Sequence, residues 1–581
     1  MGRRRAGRPW RTATSQGSAA ISPGTRAPNP SARDDRRAVD AEVGIVGAGA
    51  AGGILAFELA RRGIRVVVLE SGPRHDFARR PEYVQRYVRH ENPWQTSPRE
   101  LDRYTVSGQV PYQLLDKRAR GVGGSTLHWE GYALRLHGED FRLRSLHGIA
   151  DDWPISYDDL ESYYTIAERA LGVAGAADES PSPRSAPFPL PPFPFSHSDG
   201  LFASACQPLG IALHHLPQAR NSVAYAGRSQ CRACATCAVC PTGAKASVDL
   251  THVPDAEATG NARVITEATV LRLVVDRSGD VSAAIYAGRD RRERRLTARV
   301  FILAAGAVEN ARLLLLSAPS DFPGGLANRS GLVGKFFTSH PAIDVSGRAS
   351  GNVYPYRIGF STAMSRQFAV GRDRRTRGAF LLEFLNTAGP TPEQIAVRSG
   401  LSGEALRRHV RDEFGHWLGI RVYTEQLPDR RNTVSLNPRV RDYFGSPAPH
   451  IHYGVGPYER QALDEAKSVV TRILTAMGLS EIRSSGLSYA AHQIGTHRMG
   501  TDPRASVVDV NLRAHDVPNL YLVGSGCFVT ASASPPTLTI AALAIRAAEH
   551  IAARLRPSRP ESATGAERRA VGRPSAPAGE I

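Results

Sequence analysis

Three times along the chain a short apolar run gives way to small residues and then to a longer apolar stretch. The first run, Val43 to Val46, reads as a buried strand. Gly47, Gly49 and Gly52 follow as G-x-G-x-x-G at the opening of a helical stretch that ends near Gly63, and a second apolar strand, Val66 to Leu69, ends at Glu70. "ARVFILAAGAVENARLLLLS" and "VPNLYLVGSGCFVTASASPPTLTIAALAIRAAEHI" repeat the pattern, with small-residue turns at Ala304 to Ala307 and Gly524 to Gly526.

The first of these predicts a βαβ unit that binds a dinucleotide. Gly47 permits the tight turn, Gly49 lets backbone approach a pyrophosphate, Gly52 allows close helix–strand packing, and Glu70 is placed to accept from ribose hydroxyls. The fingerprint alone does not separate NAD from FAD. The two later segments, returning to one sheet from far along the chain, imply a discontinuous nucleotide domain with the substrate region inserted between its pieces. That many contacts suit a flavin.

Composition changes this picture little. The chain of 581 residues, 41% hydrophobic, is long enough for more than one domain and has no run of 18 apolar residues to cross a membrane. Part of its formal charge of +18 lies in arginine-rich termini, residues 1–40 and 557–581, whose Ser, Pro, Gly and Ala content predicts disordered basic tails. A non-catalytic polyanion-binding protein is the alternative of another class, but no nucleic-acid-binding motif accompanies the charge. The arginine-rich start has no apolar segment behind it, so the expected localisation is cytoplasmic, with export on a signal-bearing partner, to the periplasm, as the alternative.

The richest cysteine segment is "CRACATCAVCP": Cys231, Cys234, Cys237 and Cys240 stand three apart before Pro241. The spacing falls one residue short of the ferredoxin-type run that ligates an iron–sulfur cluster. Zinc usually draws paired ligands from separated hairpins, and disulfides between residues three apart are geometrically demanding. All three chemistries remain open at this point.

"GVGGSTLHWEGYALR" (Gly121 to Arg135), "DWPISYDDLESYY", "VGKFFTSHP", "EQLPDRRNTVSL", "HQIGTHRMG" and "PTLTIAALAIR" follow in order between about residues 41 and 556. On these segments the chain resembles the glucose-methanol-choline (GMC) flavoprotein oxidoreductases, and within them the gluconate and sugar dehydrogenase branch. The resemblance implies an α/β fold: a discontinuous Rossmann-like FAD-binding domain with an inserted α+β substrate domain on an antiparallel sheet. Its expected pieces are FAD-binding residues 41–150, 201–335 and 486–556, a substrate or lid segment at 151–200, and a substrate domain at 336–485. FAD is expected against Gly123, Gly124, Ser125 and Thr126, with Val270 at the adenine, Gly524 in a turn and Thr537 at the pyrimidine edge. His128 and Trp129 match the turn, either as packing residues or with a direct role.

The resemblance also implies the reaction: oxidation of a CH–OH group of an alcohol, sugar or polyol, with hydride passing to flavin N5. His492 matches the histidine that removes the hydroxyl proton, a task imidazole suits at neutral pH. His497 and Arg498 read as neighbours with packing or structural roles. The chain departs from the family at Pro535, where Asn or His commonly pairs with the base; a second polar contact then has to come from Ser532, Ser534 or Glu425, or be absent. Family members of the sugar dehydrogenase branch carry a cysteine-rich segment where this chain has Cys231 to Cys240, in some of them holding an iron–sulfur cluster. That implies an electron-accepting partner, a cytochrome or quinone-linked subunit; without a cluster, an oxidase using O2 or a dehydrogenase of a bulky apolar alcohol is the alternative.

Overall fold

The computed structural model describes residues 39–556, apart from positions 90, 96–97 and 356–357. The expected basic tails therefore lie outside the described residues, but for their inner margin at Val39 and Asp40.

Five strands form a parallel sheet: β1 (Ala41–Val46), β2 (Val66–Leu69), β3 (Ala262–Ile265), β4 (Ala298–Leu303) and β5 (Leu520–Leu522). Their spatial order is β5-β4-β1-β2-β3, every neighbouring pair parallel. Parallel strands are buried on both faces, which is why β1, β2 and β4 read as continuous apolar runs rather than alternating ones. Helix α1 (Ala50–Ala60) follows β1 and packs against the C-terminal helix Thr537–Leu555. Strands contributed by residues 41–69, 262–303 and 520–522 thus share one sheet, and the fold is the mixed α/β, Rossmann-like one expected.

A seven-stranded sheet, antiparallel at every pairing, carries Pro341–Arg348, Trp417–Thr424, Phe380–Leu385 and Ser361–Ser365 at its centre. The pleat divides its side chains between two faces. Ile343, Val345, Phe380, Leu382, Phe384, Leu418, Ile420 and Val422 pack on Ala462, Ala466, Val470 and Ile473 of helix Pro457–Ala476. Their alternates Ala342, Asp344, Glu383, Arg421 and Tyr423 stand on the other face. Register sets Arg421 directly opposite both Asp344 and Glu383. A charged triad on the central strands of the sheet therefore faces away from the helix.

Candidate active site

The end of the parallel sheet and the charged face of the antiparallel sheet border one cleft of about 470 Å³. Gly47, Gly49, Glu70, Gly124, Ser125, Thr126, Val270, Gly524, Thr537 and His492 all line it, as do His128 and Trp129. Gly52 and Gly123 do not; they act from behind. A Cβ on Gly52 would stand 1.8 Å from the Gly47 carbonyl oxygen, so only glycine lets α1 start this close to the β1 turn. Gly123 donates from its backbone to Ala48 O at 3.0 Å and joins the two glycine turns. Those turns meet almost backbone to backbone, since a Cβ on Gly124 would lie 2.7 Å from Gly49 Cα. Gly49 caps α1 without a side chain, and the helix has no acid in its first turn. Its free N–H groups and dipole suit a pyrophosphate.

Glu70, expected at the ribose, is held by backbone in this fold. Its Oε2 accepts from Ala48 N and its Oε1 from Gly72 N, both at 2.8 Å, so the carboxylate pins the turns on either side of it. Burial pushes its pKa up against these bonds. Lys245, from the "CPTGAKAS" segment, holds the second glycine turn from below: its Nζ donates to the carbonyls of Thr126, Leu127 and Trp129 at 3.1, 3.0 and 2.7 Å. Burial brings that ammonium down to about 8. The cradle of glycines, a bare helix N-terminus and a rigid carboxylate fits a flavin dinucleotide.

His492 lies partly open on the cleft, and its Nδ1 is 2.9 Å from Nδ1 of the fully buried His340. Burial, then the neighbouring His340, then Lys117 hold the His492 imidazole well below the usual histidine range, so it is neutral at pH 7. Beside it the wall turns polar: Tyr423, whose ring centroid is 6.0 Å from that of His492, with Arg421, Tyr132 and Glu130. Arg421 pairs with Asp344 at 2.7 and 3.0 Å, and the Tyr132 hydroxyl donates to Glu383. Burial pushes the carboxyls of both Glu130 and Glu383 up. The sequence did carry a signal for this wall: single charges inside the apolar runs "AFLLEFL" and "WLGIRVY". What it lacked was the register that sets them opposite one another.

None of the residues offered in place of a second polar group at Pro535 reaches the cleft. Pro535 and Pro536 line the cleft, whereas Ser532, Ser534 and Glu425 do not. Ser532 Oγ donates to Asp140 at 2.8 Å, and Glu425 pairs with Arg374 at 2.7 Å. His497 is buried beneath Gly526, and Arg498 pairs with Asp151 at 2.8 Å.

The four cysteines expected as metal ligands do not gather. Among the described residues no three His, Cys, Asp or Glu side chains converge as a metal site, and all four thiols are free. Left-handed backbone at Ala233, Ala235 and Cys240 winds the loop so that each sulfur meets a different partner. Cys231 accepts from Ala233 N at 3.4 Å, Cys234 contacts Thr236 Oγ1 at 3.0 Å, Cys237 accepts from Arg220 Nη1 at 3.7 Å, and Cys240 accepts from Lys245 N at 3.2 Å. The thiols so arranged do not fit a cluster. The loop does reach the active site: Cys234 to Thr236 line a second cleft that shares Arg118, His128 and Arg421 with the first.

Comparison with known proteins agrees with this geometry. Family models described as GMC oxidoreductase match residues 106–342 and 428–544, and a Rossmann-like NAD(P)-binding model matches 45–97. The fructose dehydrogenase large subunit of Gluconobacter japonicus is 33% identical over 88% of this chain and 98% of its own. The 2-methyl-1,2-propanediol dehydrogenase of Mycolicibacterium austroafricanum is 29% identical over 88% and 95%. A solved structure of formate oxidase from Aspergillus oryzae, determined in a study of FAD modification, shares the fold with a TM-score of 0.64 at 15% identity, over 89% of this chain and 99% of that one. Two glycine turns that fit a dinucleotide, a histidine facing them across the cleft and likeness over nearly the whole length lead to one conclusion: the chain belongs to the GMC oxidoreductase family, FAD-dependent oxidoreductases of alcohol and sugar CH–OH groups.

Proposed function

We propose that the chain oxidises a CH–OH group of a sugar or polyol, with His492 as the base, and passes the electrons to an external acceptor. Bound FAD, held by Gly47, Gly49, Glu70, Gly124, Ser125, Thr126, Val270, Gly524 and Thr537, supplies the hydride acceptor. The observation that carries the reading is the neutral His492 imidazole on the cleft these residues line. A neutral imidazole takes the proton of the substrate hydroxyl as the carbon gives up hydride. The proline pair leaves that hydroxyl with His492 as its main polar partner on this side of the cleft.

The wall of Arg421, Tyr423, Tyr132 and Glu130 favours a polyhydroxylated substrate over a bulky apolar alcohol. Buried donors and acceptors reject a ligand that leaves them unpaired. Likeness to a fructose dehydrogenase large subunit supports the same class and supports an electron-accepting partner. The approach of the cysteine loop to the flavin cleft supports electron exit on that side. The four thiols of that loop do not converge, so no iron–sulfur cluster is proposed there and no step is routed through one.

The test is anaerobic flavin reduction by a panel of D-fructose, D-gluconate, D-sorbitol and benzyl alcohol, followed by dye turnover against peroxide release. His492→Ala should keep its FAD and lose most of the reduction. Normal reduction by that variant would remove His492 from the mechanism; peroxide release that matches dye turnover would make the enzyme an oxidase.

A further inference from the structure

His340 sits at the end of "VGKFFTSHP", 152 residues from His492 in sequence and 2.9 Å from it in space, Nδ1 to Nδ1. The rings are perpendicular, 89° apart, with centroids separated by 4.8 Å. His340 is fully buried and does not line the cleft. It touches the reaction only through His492.

We infer that His340 is a positioning residue that fixes the tautomer of His492, leaving His492 Nε2 unprotonated toward the substrate. The inference rests on the reading of His492 as base. Two nitrogens at 2.9 Å share one hydrogen, so one ring donates and the other accepts. If His340 donated, His492 would carry its hydrogen on Nε2 and could not act as a base. If His492 donates, its Nε2 keeps a lone pair and His340 carries its own hydrogen on Nε2.

The surroundings of His340 choose between these. The backbone carbonyls of Ala531 and Ser532 act on its ring electrostatically and favour a proton on it, against the lowering by burial. With Nδ1 engaged by His492, Nε2 is the nitrogen left, and it is buried with no hydrogen-bond partner among the described residues. Facing a field set by carbonyl oxygens, an N–H at Nε2 is favoured over a lone pair. The field of the Ala531–Ser532 carbonyls therefore biases His340, and His340 sets His492. The loop that supplies them is the one in which Pro535 replaces the family's second polar residue, and it is held by the Ser532 bond to Asp140. Burial keeps His340 neutral, with its pKa lowered to about 4, as an acceptor at Nδ1 requires. When a substrate hydroxyl gives its proton to His492 Nε2, the imidazolium retains the Nδ1–H bond to His340, and no further group changes protonation.

The experiment is stopped-flow reduction of the anaerobic holoenzyme by D-fructose, or by the panel compound that reduces the wild type fastest. His340→Ala should lower the limiting rate by about 100-fold, in the range lost when a base is mis-set, with FAD content and the apparent substrate dissociation constant unchanged. His340→Asn, whose Oδ1 occupies the place of Nδ1 as an acceptor, should recover most of that loss. His340→Gln, similar in volume but with its amide nearer the Nε2 position, should stay slow. Wild-type reduction by His340→Ala, or an Asn variant no faster than the Gln variant, overturns the inference. If His340→Ala does not hold FAD, the Asn and Gln pair decides alone. His492→Ala separates the two ideas: a slow His492→Ala beside a fast His340→Ala leaves the base and removes the positioning, whereas a fast His492→Ala removes the base itself.

Discussion

Arg374 is the cation on which a buried network depends, and its replacement by methionine gives the sharpest test of the packing behind the active site. The residue is 1% exposed. Its Nη1 lies 2.9 Å from Asp140 Oδ1 and its Nη2 2.7 Å from Glu425 Oε1, with both carboxylates equally buried. Glu425 also accepts from Ala379 N and from the Tyr458 hydroxyl, each at 3.2 Å, so its place is fixed by more than the ion pair. Asp140 has a second cation within reach, since Arg366 acts on it electrostatically. The principal loss in Arg374→Met is therefore Glu425 left charged and unpaired. Breaking a buried pair in this way costs about 3–5 kcal/mol. With an unfolding entropy of about 2 cal/mol/K per residue, a chain of 581 residues loses roughly 1 °C per kcal/mol. The melting temperature of the holoenzyme should fall by about 3–5 °C, and Arg374→Met combined with Glu425→Gln should fall by less than Arg374→Met alone. Differential scanning calorimetry on the wild type, the two single variants and the double variant measures both. A loss under about 1 kcal/mol, or a double variant that loses as much as the two single changes together, would refute the account.

Three more outcomes follow from the same geometry. Arg421→Leu should leave the flavin spectrum intact and raise the apparent dissociation constant for the best sugar by about tenfold or more, the worth of a charged hydrogen bond; an unchanged constant would take the charged sheet face out of substrate recognition. Brief alkylation with iodoacetamide, read by mass spectrometry, should modify exposed Cys234 first and buried Cys237 and Cys240 last; equal protection of all four would mean that the sulfurs are held together, against the arrangement described. His252 and His497 have pKa values lowered by burial to about 4 and about 3. Below pH 6.5 the unfolded chain binds protons that the folded one refuses, so their share of stability is present at neutral pH and declines by about 1 kcal/mol per group for each unit of pH toward 4. Melting curves from pH 7 to 4.5 should fall accordingly, less steeply in His252→Phe; a flat profile would contradict the burial.

What the sequence shows of this site and what it hides divide along sequence separation. Gly47, Gly49 and Glu70 sit within one βαβ unit, where strand, turn and helix follow from a pattern only a few residues long. The Gly123–Thr126 turn and Thr537 are visible because a local motif marks them. The charged wall depends on a register among strands 341–348, 380–385 and 417–424, which no local pattern specifies. His340 lies as far from His492 along the chain as many whole domains are long, so only the folded sheet brings the imidazoles together. At Cys231 to Cys240 the even spacing suggests convergence, but spacing fixes only reach along the chain. Backbone handedness at Ala233, Ala235 and Cys240 decides where the sulfurs point.

The order of the parallel sheet has a consequence for how the protein is made. β1 and β2 leave the ribosome first, yet β1 is completed on its other side by β4, from residues 298–303, and β4 by β5, from residues 520–522. Until those residues emerge, the apolar edge of β1 has no neighbour and α1 lacks the C-terminal helix it packs on. Non-local pairings of this span are slow to form and exposed to aggregation while they wait. A stably bound FAD therefore belongs to the finished chain, and production of intact enzyme depends on nascent segments being kept apart until the last helix arrives.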